Sequence, residues 1–201
     1  MDLNIADYYD TLIDENNDPV HDPEPLKEYM DKWDGAKFIS KMKLTKQSSV
    51  LEIGVGTGRL AMCTAPLCGS FCGIDISQKT VERAAENLKN YDNVLLICGD
   101  FLSYNFMYSF DVIYSSLTFM HIKDKQAAVN KAAALLSDGG KFVLSIDKNQ
   151  DRHIDTGTER IKIYPDDPKD MSSYINNTKM KTVEFFETEF AYIFVCVKLK
   201  N

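Results

Sequence analysis

Little in this chain of 201 residues suits a membrane, a phosphate backbone or a disulfide framework. No apolar run approaches the ~20 residues a bilayer-spanning helix needs. The first residues, Met1-Asp2-Leu3-Asn4, show no basic segment leading into an apolar one. A cytoplasmic protein is therefore expected. Cations are in short supply, with 23 Lys and Arg against 30 Asp and Glu and a net charge of −7. That balance argues against nucleic acid as a substrate, because phosphate binding needs clustered Lys and Arg. A small molecule is the expected partner. The five cysteines (Cys63, Cys68, Cys72, Cys98 and Cys196) are odd in number and lie in apolar segments, which reads as reduced thiols. Cys68 and Cys72 have no second Cys or His pair at zinc-ligand spacing, so no metal is expected.

What the chain does have is concentrated between Val50 and Leu60: Val-Leu-Glu-Ile-Gly-Val-Gly-Thr-Gly-Arg-Leu. An apolar strand runs directly into glycines and then opens a helix, which brings bare backbone N–H groups close to a ligand. Gly54, Gly56 and Gly58 give G-x-G-x-G, whereas the dinucleotide fingerprint is G-x-G-x-x-G. No Lys-Ser or Lys-Thr follows, which excludes a phosphate-cradling P-loop. With the acidic Glu52 before the glycines, the segment resembles the first motif of the class I S-adenosylmethionine-dependent methyltransferases.

The rest of the pattern is read independently of that motif. Leu26, Tyr29, Met30 and Trp33 recur at helical spacing from Pro25, with Gly35 weakening the helix without having to end it. Helices are expected over Arg59–Leu67, Gln78–Asn90 (capped by Ser77), Asp124–Leu136 and Asp167–Thr178. Buried-type strands are expected at Phe71–Ile76, Val94–Cys98, Phe110–Ser115 and Lys141–Ile146, with Asp138-Gly139-Gly140 as a helix stop and turn. Glu159–Tyr164 reads as extended. Alternation of this kind predicts an α/β, doubly wound, mostly parallel Rossmann-like sheet. Thr182–Glu187 and Ala191–Lys198 are expected to close it as an antiparallel hairpin, which the resemblance also requires with seven strands in all. The chain reads as one domain over 1–201: an N-terminal helical lid to 49, a cofactor-binding core over 50–150 and a completion of the sheet over 151–201.

Ligands of such sheets sit beyond the strands' carboxyl ends. There the second strand ends in Asp75, about 20 residues after the glycines, as a ribose-binding carboxylate should. The alternative for Asp75 is a helix cap. The third strand ends in Asp100 and the fourth in Ser115-Ser116.

The resemblance implies roles for these residues toward S-adenosylmethionine. Asp100 would accept from the adenine amino group, the Phe101 N–H would face a ring nitrogen, and Ile76 would touch the base. Core packing is the rival for Ile76 and Phe101, and a turn carboxylate for Asp100. Backbone atoms of Gly54, Gly56 and Ser115 would meet the amino-acid end, with Arg59 either pairing with its carboxylate or solvated at the surface. Glu52 would steady the loop or bond the methionine amine. Tyr9, with Tyr8, resembles a tyrosine pair folded over the cofactor, and ordinary packing is its rival. His121, in Phe119-Met120-His121-Ile122, is either a base facing the substrate or a structural residue at the helix entry.

The implied reaction is in-line methyl transfer to a small-molecule acceptor. A cofactor-binding sensor or non-catalytic partner subunit would keep the same residues. A nicotinamide-dependent oxidoreductase would need the other glycine spacing.

Overall fold

The computed structural model describes residues 4–155 and 160–200. Three helices come first: α1 (Ile5–Asp14), α2 (Glu24–Met30) and α3 (Gly35–Met42). A βα alternation follows: β1 (Ser49–Ile53), α4 (Ala61–Thr64), β2 (Ser70–Asp75), α5 (Gln78–Leu88), β3 (Val94–Cys98), β4 (Phe110–Ser115), α6 (Lys125–Leu135) and β5 (Leu136–Asp147). The short pair β6 (His153–Asp155) and β7 (Arg160–Lys162) precedes α7 (Pro168–Asn176), β8 (Met180–Glu187) and β9 (Ala191–Lys198).

Seven strands form one sheet in the order β3-β2-β1-β4-β5-β9-β8. The first five run parallel, and β9 pairs antiparallel with both β5 and β8. The expected fold class and closing hairpin are therefore present. Neighbouring residues of β1 serve opposite faces, as period-2 geometry demands. Leu51 and Ile53 face α6 and α7 through Ala128, Val129, Met171 and Ile175. Val50 packs on the other side with Phe38 and Met42 of α3 and Ala84 and Leu88 of α5. The strand order reverses between β1 and β4, which opens a crevice at their carboxyl ends.

Several boundaries differ from expectation for local reasons. The helix from Pro25 stops at Met30, and Gly35, at φ +72°, starts a new helix behind the cap Asp34. The helix after the glycines is only Ala61–Thr64 and tightens into a 3-10 turn, Ala65–Leu67, where Pro66 has no N–H to continue it. The Asp138-Gly139-Gly140 turn is absorbed into β5 as an irregularity, with Phe110 opposite Leu136 and Val112 opposite Lys141. Gly139 has the positive φ (+79°) that this kink requires. Caps were the more reliable signals: Ser77, Asp124 and Asp167 each accept from the N–H groups of the helix they open. Of the extended segment expected from Glu159, that residue lies outside the described ones, and β7 covers Arg160–Lys162. α1 falls within the expected N-terminal helical segment, and Asn4 caps it.

Candidate active site

A cavity of about 540 Å³ occupies the crevice and is walled by the ends of β1 to β4 and by α1. Its floor is the glycine turn. Gly54 (φ +76°) can carry no side chain, since a Cβ there would lie 1.9 Å from Thr118 Oγ1. Gly56 (φ +56°) lines the cavity, and a Cβ there would meet open space. Bare backbone therefore faces whatever enters. Gly58 (φ +96°) and Ser115 do not line the cavity. Gly58 backs onto Leu88, and the Ser115 hydroxyl donates to the Ile53 carbonyl at 2.8 Å. Ser116 and Leu117 take the place expected of Ser115.

Three carboxylates mark successive strands. Glu52 is buried under the glycine turn, with the Tyr114 hydroxyl donating to it at 2.7 Å. Burial pushes its pKa up to about 8, against the partial relief from Tyr114 and Arg59. Asp75 accepts from the Gly56 N–H (3.0 Å) and the Ser77 N–H (3.1 Å), tying the turn to the start of α5. Burial raises its pKa too. Capping of α5 itself falls to Ser77, which accepts from the Thr80 N–H. Asp100 is exposed at the cavity wall and accepts from Leu102 and Ser103 N–H groups at 3.2 and 3.1 Å. It is therefore a turn carboxylate, with lone pairs left over. Ile76 is 40% exposed on the same wall. Phe101 does double duty, lining the cavity while packing in the core.

Arg59 lines the cavity and is not the solvated surface residue of the alternative reading. Its guanidinium forks onto Asp34 at 3.0 and 2.5 Å and is neither solvated nor free. Asp34 also accepts from Ser116 Oγ (2.7 Å) and the Gly35 N–H (2.6 Å). Asp34 carried no sequence signal beyond the Asp-Gly helix start.

The N-terminal helix closes the top. Asp10 accepts from Ser77 Oγ and the Lys79 N–H, and Asp14 pairs with Lys79, so α1 sits over the start of α5. This sets Tyr9 against the cavity, its hydroxyl 2.9 Å from His121 Nε2, with Tyr8 at its edge. Burial raises the Tyr9 pKa and, with the Lys125 ammonium adding to it, lowers that of His121 to about 4. His121 lies in a 3-10 turn, Phe119–His121, held by distant residues. The Tyr164 N–H donates to the Met120 carbonyl (2.7 Å), and Lys125 reaches both the Phe119 carbonyl (2.8 Å) and the buried Asp166 (2.7 Å). Among the described residues no group of three or more His, Cys, Asp or Glu is placed to hold a metal.

Comparison with known proteins points the same way as the glycine turn. Residues 51–144 match the family model described as "Methyltransferase domain". The matched segment, just under half of the chain, is similar to a methyltransferase domain. An uncharacterized methyltransferase of Anoxybacillus flavithermus is 35% identical over 123 residues, 59% of this chain and 57% of its own length. Malonyl-[acyl-carrier protein] O-methyltransferase 1 of Ilyobacter polytropus is 34% identical over 105 residues, 50% of this chain and 38% of that protein. The chain thus spans about half the length of the curated relatives it matches.

Solved structures agree in fold. A chain in the complex between the Haloferax volcanii Trm112 methyltransferase activator and a methyltransferase superposes with a TM-score of 0.78 at 15% identity, covering 98% of this chain and 99% of that one. Magnesium protoporphyrin IX methyltransferase from Synechocystis, with bound S-adenosylmethionine, gives 0.72 at 16% identity, covering 96% and 95%. The family's cofactor is S-adenosylmethionine. No helix among the described residues is long and apolar enough to cross a membrane.

Proposed function

We propose that the chain transfers the methyl group of S-adenosylmethionine to a small-molecule acceptor. The observation that carries this reading is the single cavity whose wall holds Glu52, the bare glycine turn, Asp75 and Asp100 in strand order. The residues fit the cofactor on their own chemistry. Glu52 is a carboxylate taken out of water at a cost, and the cofactor's ammonium would offset it. Gly56 leaves open space where a side chain would block an approach to the backbone. Asp75 and Asp100 keep acceptor capacity for hydroxyls and an amine. When bound, the cofactor supplies an electrophilic methyl on a sulfonium sulfur.

The protein's own residues bind and orient. Asp75 would hold the ribose diol, Asp100 and the Phe101 backbone the adenine, with Ile76 against its face. Glu52 and the glycine-turn N–H groups would hold the amino-acid end. Gly58 and Ser115 act one layer back, by shaping the turn, while Arg59 reaches the cavity wall and is held there by Asp34. α1 covers the cavity and excludes water. A cleft of this size on an acidic chain supports a small acceptor over a polyanion.

Calorimetry with S-adenosylmethionine and with NAD tests the cofactor, and release of S-adenosylhomocysteine across a metabolite panel tests turnover. Asp75→Ala should weaken cofactor binding by about 1–3 kcal/mol in a folded protein. Unchanged affinity would remove the ribose role. A second reading, a chain that works beside an activator subunit, is supported by the fold shared with the chain from the Trm112 complex. Turnover by the isolated chain would dismiss it.

A further inference from the structure

We propose that Asp34 is a positioning residue for the amino-acid end of the methyl donor, holding Arg59 on the cavity wall apart from Glu52. The proposal rests on the S-adenosylmethionine reading above and deepens it at a residue that no motif includes.

The geometry is that of a brace. The Asp34 side chain is 0% exposed and accepts four hydrogen bonds. Two come from the Arg59 guanidinium, one from Ser116 Oγ and one from the Gly35 N–H that opens α3. Arg59 follows the glycine turn after β1, and Ser116 follows β4. One carboxylate thus ties together the two loops that flank the reversal of strand order. Both loops line the cavity, through Gly56 and Arg59 on one side and Ser116 and Thr118 on the other.

Charge explains why a carboxylate belongs at this place. Glu52 and Arg59 both line the cavity, and the Arg59 charge already offsets part of the burial of Glu52. A guanidinium free to swing would ionise Glu52 and pair with it, since a buried acid gains most from a cation. That pair would neutralise itself and leave an amino-acid end nothing to bind. The fork onto Asp34 fixes the guanidinium in place and in orientation. It takes one N–H from each terminal nitrogen, so three of the five donors lie outside it. Tyr114 holds Glu52 from its own side. The other cation on the wall, Lys123, is exposed just before α6, and a flexible ammonium fixes no orientation. The cavity therefore presents an acid and a cation as separate groups, the complement of an ammonium and a carboxylate on one carbon.

The test compares S-adenosylhomocysteine with 5′-deoxy-5′-methylthioadenosine, which keeps the nucleoside and sulfur and lacks the amino-acid end. Calorimetry on the whole chain gives both affinities for the wild type, Asp34→Asn, Arg59→Gln and the double variant. Asp34→Asn should weaken S-adenosylhomocysteine at least about tenfold and methylthioadenosine no more than about twofold. Asparagine keeps the shape and an acceptor oxygen for Gly35 and Ser116, so a merely structural loss would weaken both probes alike. Added to Arg59→Gln, it should lower the ratio of the two affinities no further, because no cation is left to hold. The double variant also strands no buried charge, and its ratio should lie at least about tenfold below wild type even where the single variant fails to fold. Overturning results are a wild type that binds both probes alike, an unchanged ratio in Asp34→Asn or the double variant, parallel loss of both probes, or a further fall on Arg59→Gln. A wild type that binds neither probe overturns instead the reading on which the proposal rests.

Discussion

Glu52 is the residue whose protonation the bound cofactor should change most. Its pKa of about 8 lies far above the ordinary 4.5, so the folded chain keeps a proton that the unfolded chain has lost across that interval. The stability this contributes is fully present below pH ~4.5 and is lost as pH rises toward 8, by at most about 1.4 kcal/mol per pH unit. Denaturant titrations of the ligand-free protein should show that decline, and Glu52→Gln should flatten it. A cationic amine placed beside Glu52 favours the ionised form, so S-adenosylmethionine affinity should rise with pH up to about 8 and lose that slope in the Gln variant. A wild-type affinity indifferent to pH would detach Glu52 from the ammonium.

Two elements carry the cavity without belonging to the sheet. α1 has no fully buried residue and is tied down by Asp10, Asp14 and Tyr9. Deleting residues 1–14 should change unfolding stability by no more than about 1–2 kcal/mol, yet weaken cofactor binding about tenfold, which is ~1.4 kcal/mol. Equal effects on both would make α1 a structural helix.

The 3-10 turn carrying His121 depends on Lys125 and Asp166, whose side chains are 9% and 1% exposed. Lys125→Met strands a buried carboxylate and should cost about 3–5 kcal/mol, and Asp166→Leu in the same chain should recover most of it. Burial raises the Asp166 pKa, and the Lys125 charge only partly opposes it, so the pair is a positioning device rather than a source of stability.

At the scale of the whole molecule, cofactor binding and folding are one equilibrium, because the cavity exists only when β1 to β4 and α1 are assembled. S-adenosylmethionine at 100 times its Kd should add about 2.7 kcal/mol, which for a chain of this size raises Tm by roughly 5–10 °C. NAD should leave the melting curve in place, and scanning calorimetry reads both.

The global architecture was legible because its signals repeat along the chain: alternating apolar strands, capped helices and a hairpin of two adjacent runs. Boundaries were less so. Gly35 looked like a weak point in one helix, whereas its left-handed backbone serves the start of another. Asp138-Gly139-Gly140 looked like a turn, whereas neighbouring β4 draws it into a bulged strand. In both, tertiary pairing overrode a propensity of order 1 kcal/mol or less.

Sequence alone determined the glycine turn at the end of β1. Glycines that must adopt positive φ, an acidic residue before them and acids at the following strand ends form a pattern readable within a few residues of each strand. Only the tertiary structure decided what each charge does. Arg59 and Asp34 stand 25 residues apart, and Tyr9 and His121 stand 112 apart, with no local pattern linking either pair. Burial then forces each group to find a partner from among those that the strand order happens to bring near. That is why the family resemblance was written in the glycine turn, while the Arg59–Asp34 fork and the contact of Tyr9 with His121 emerged only from the folded chain.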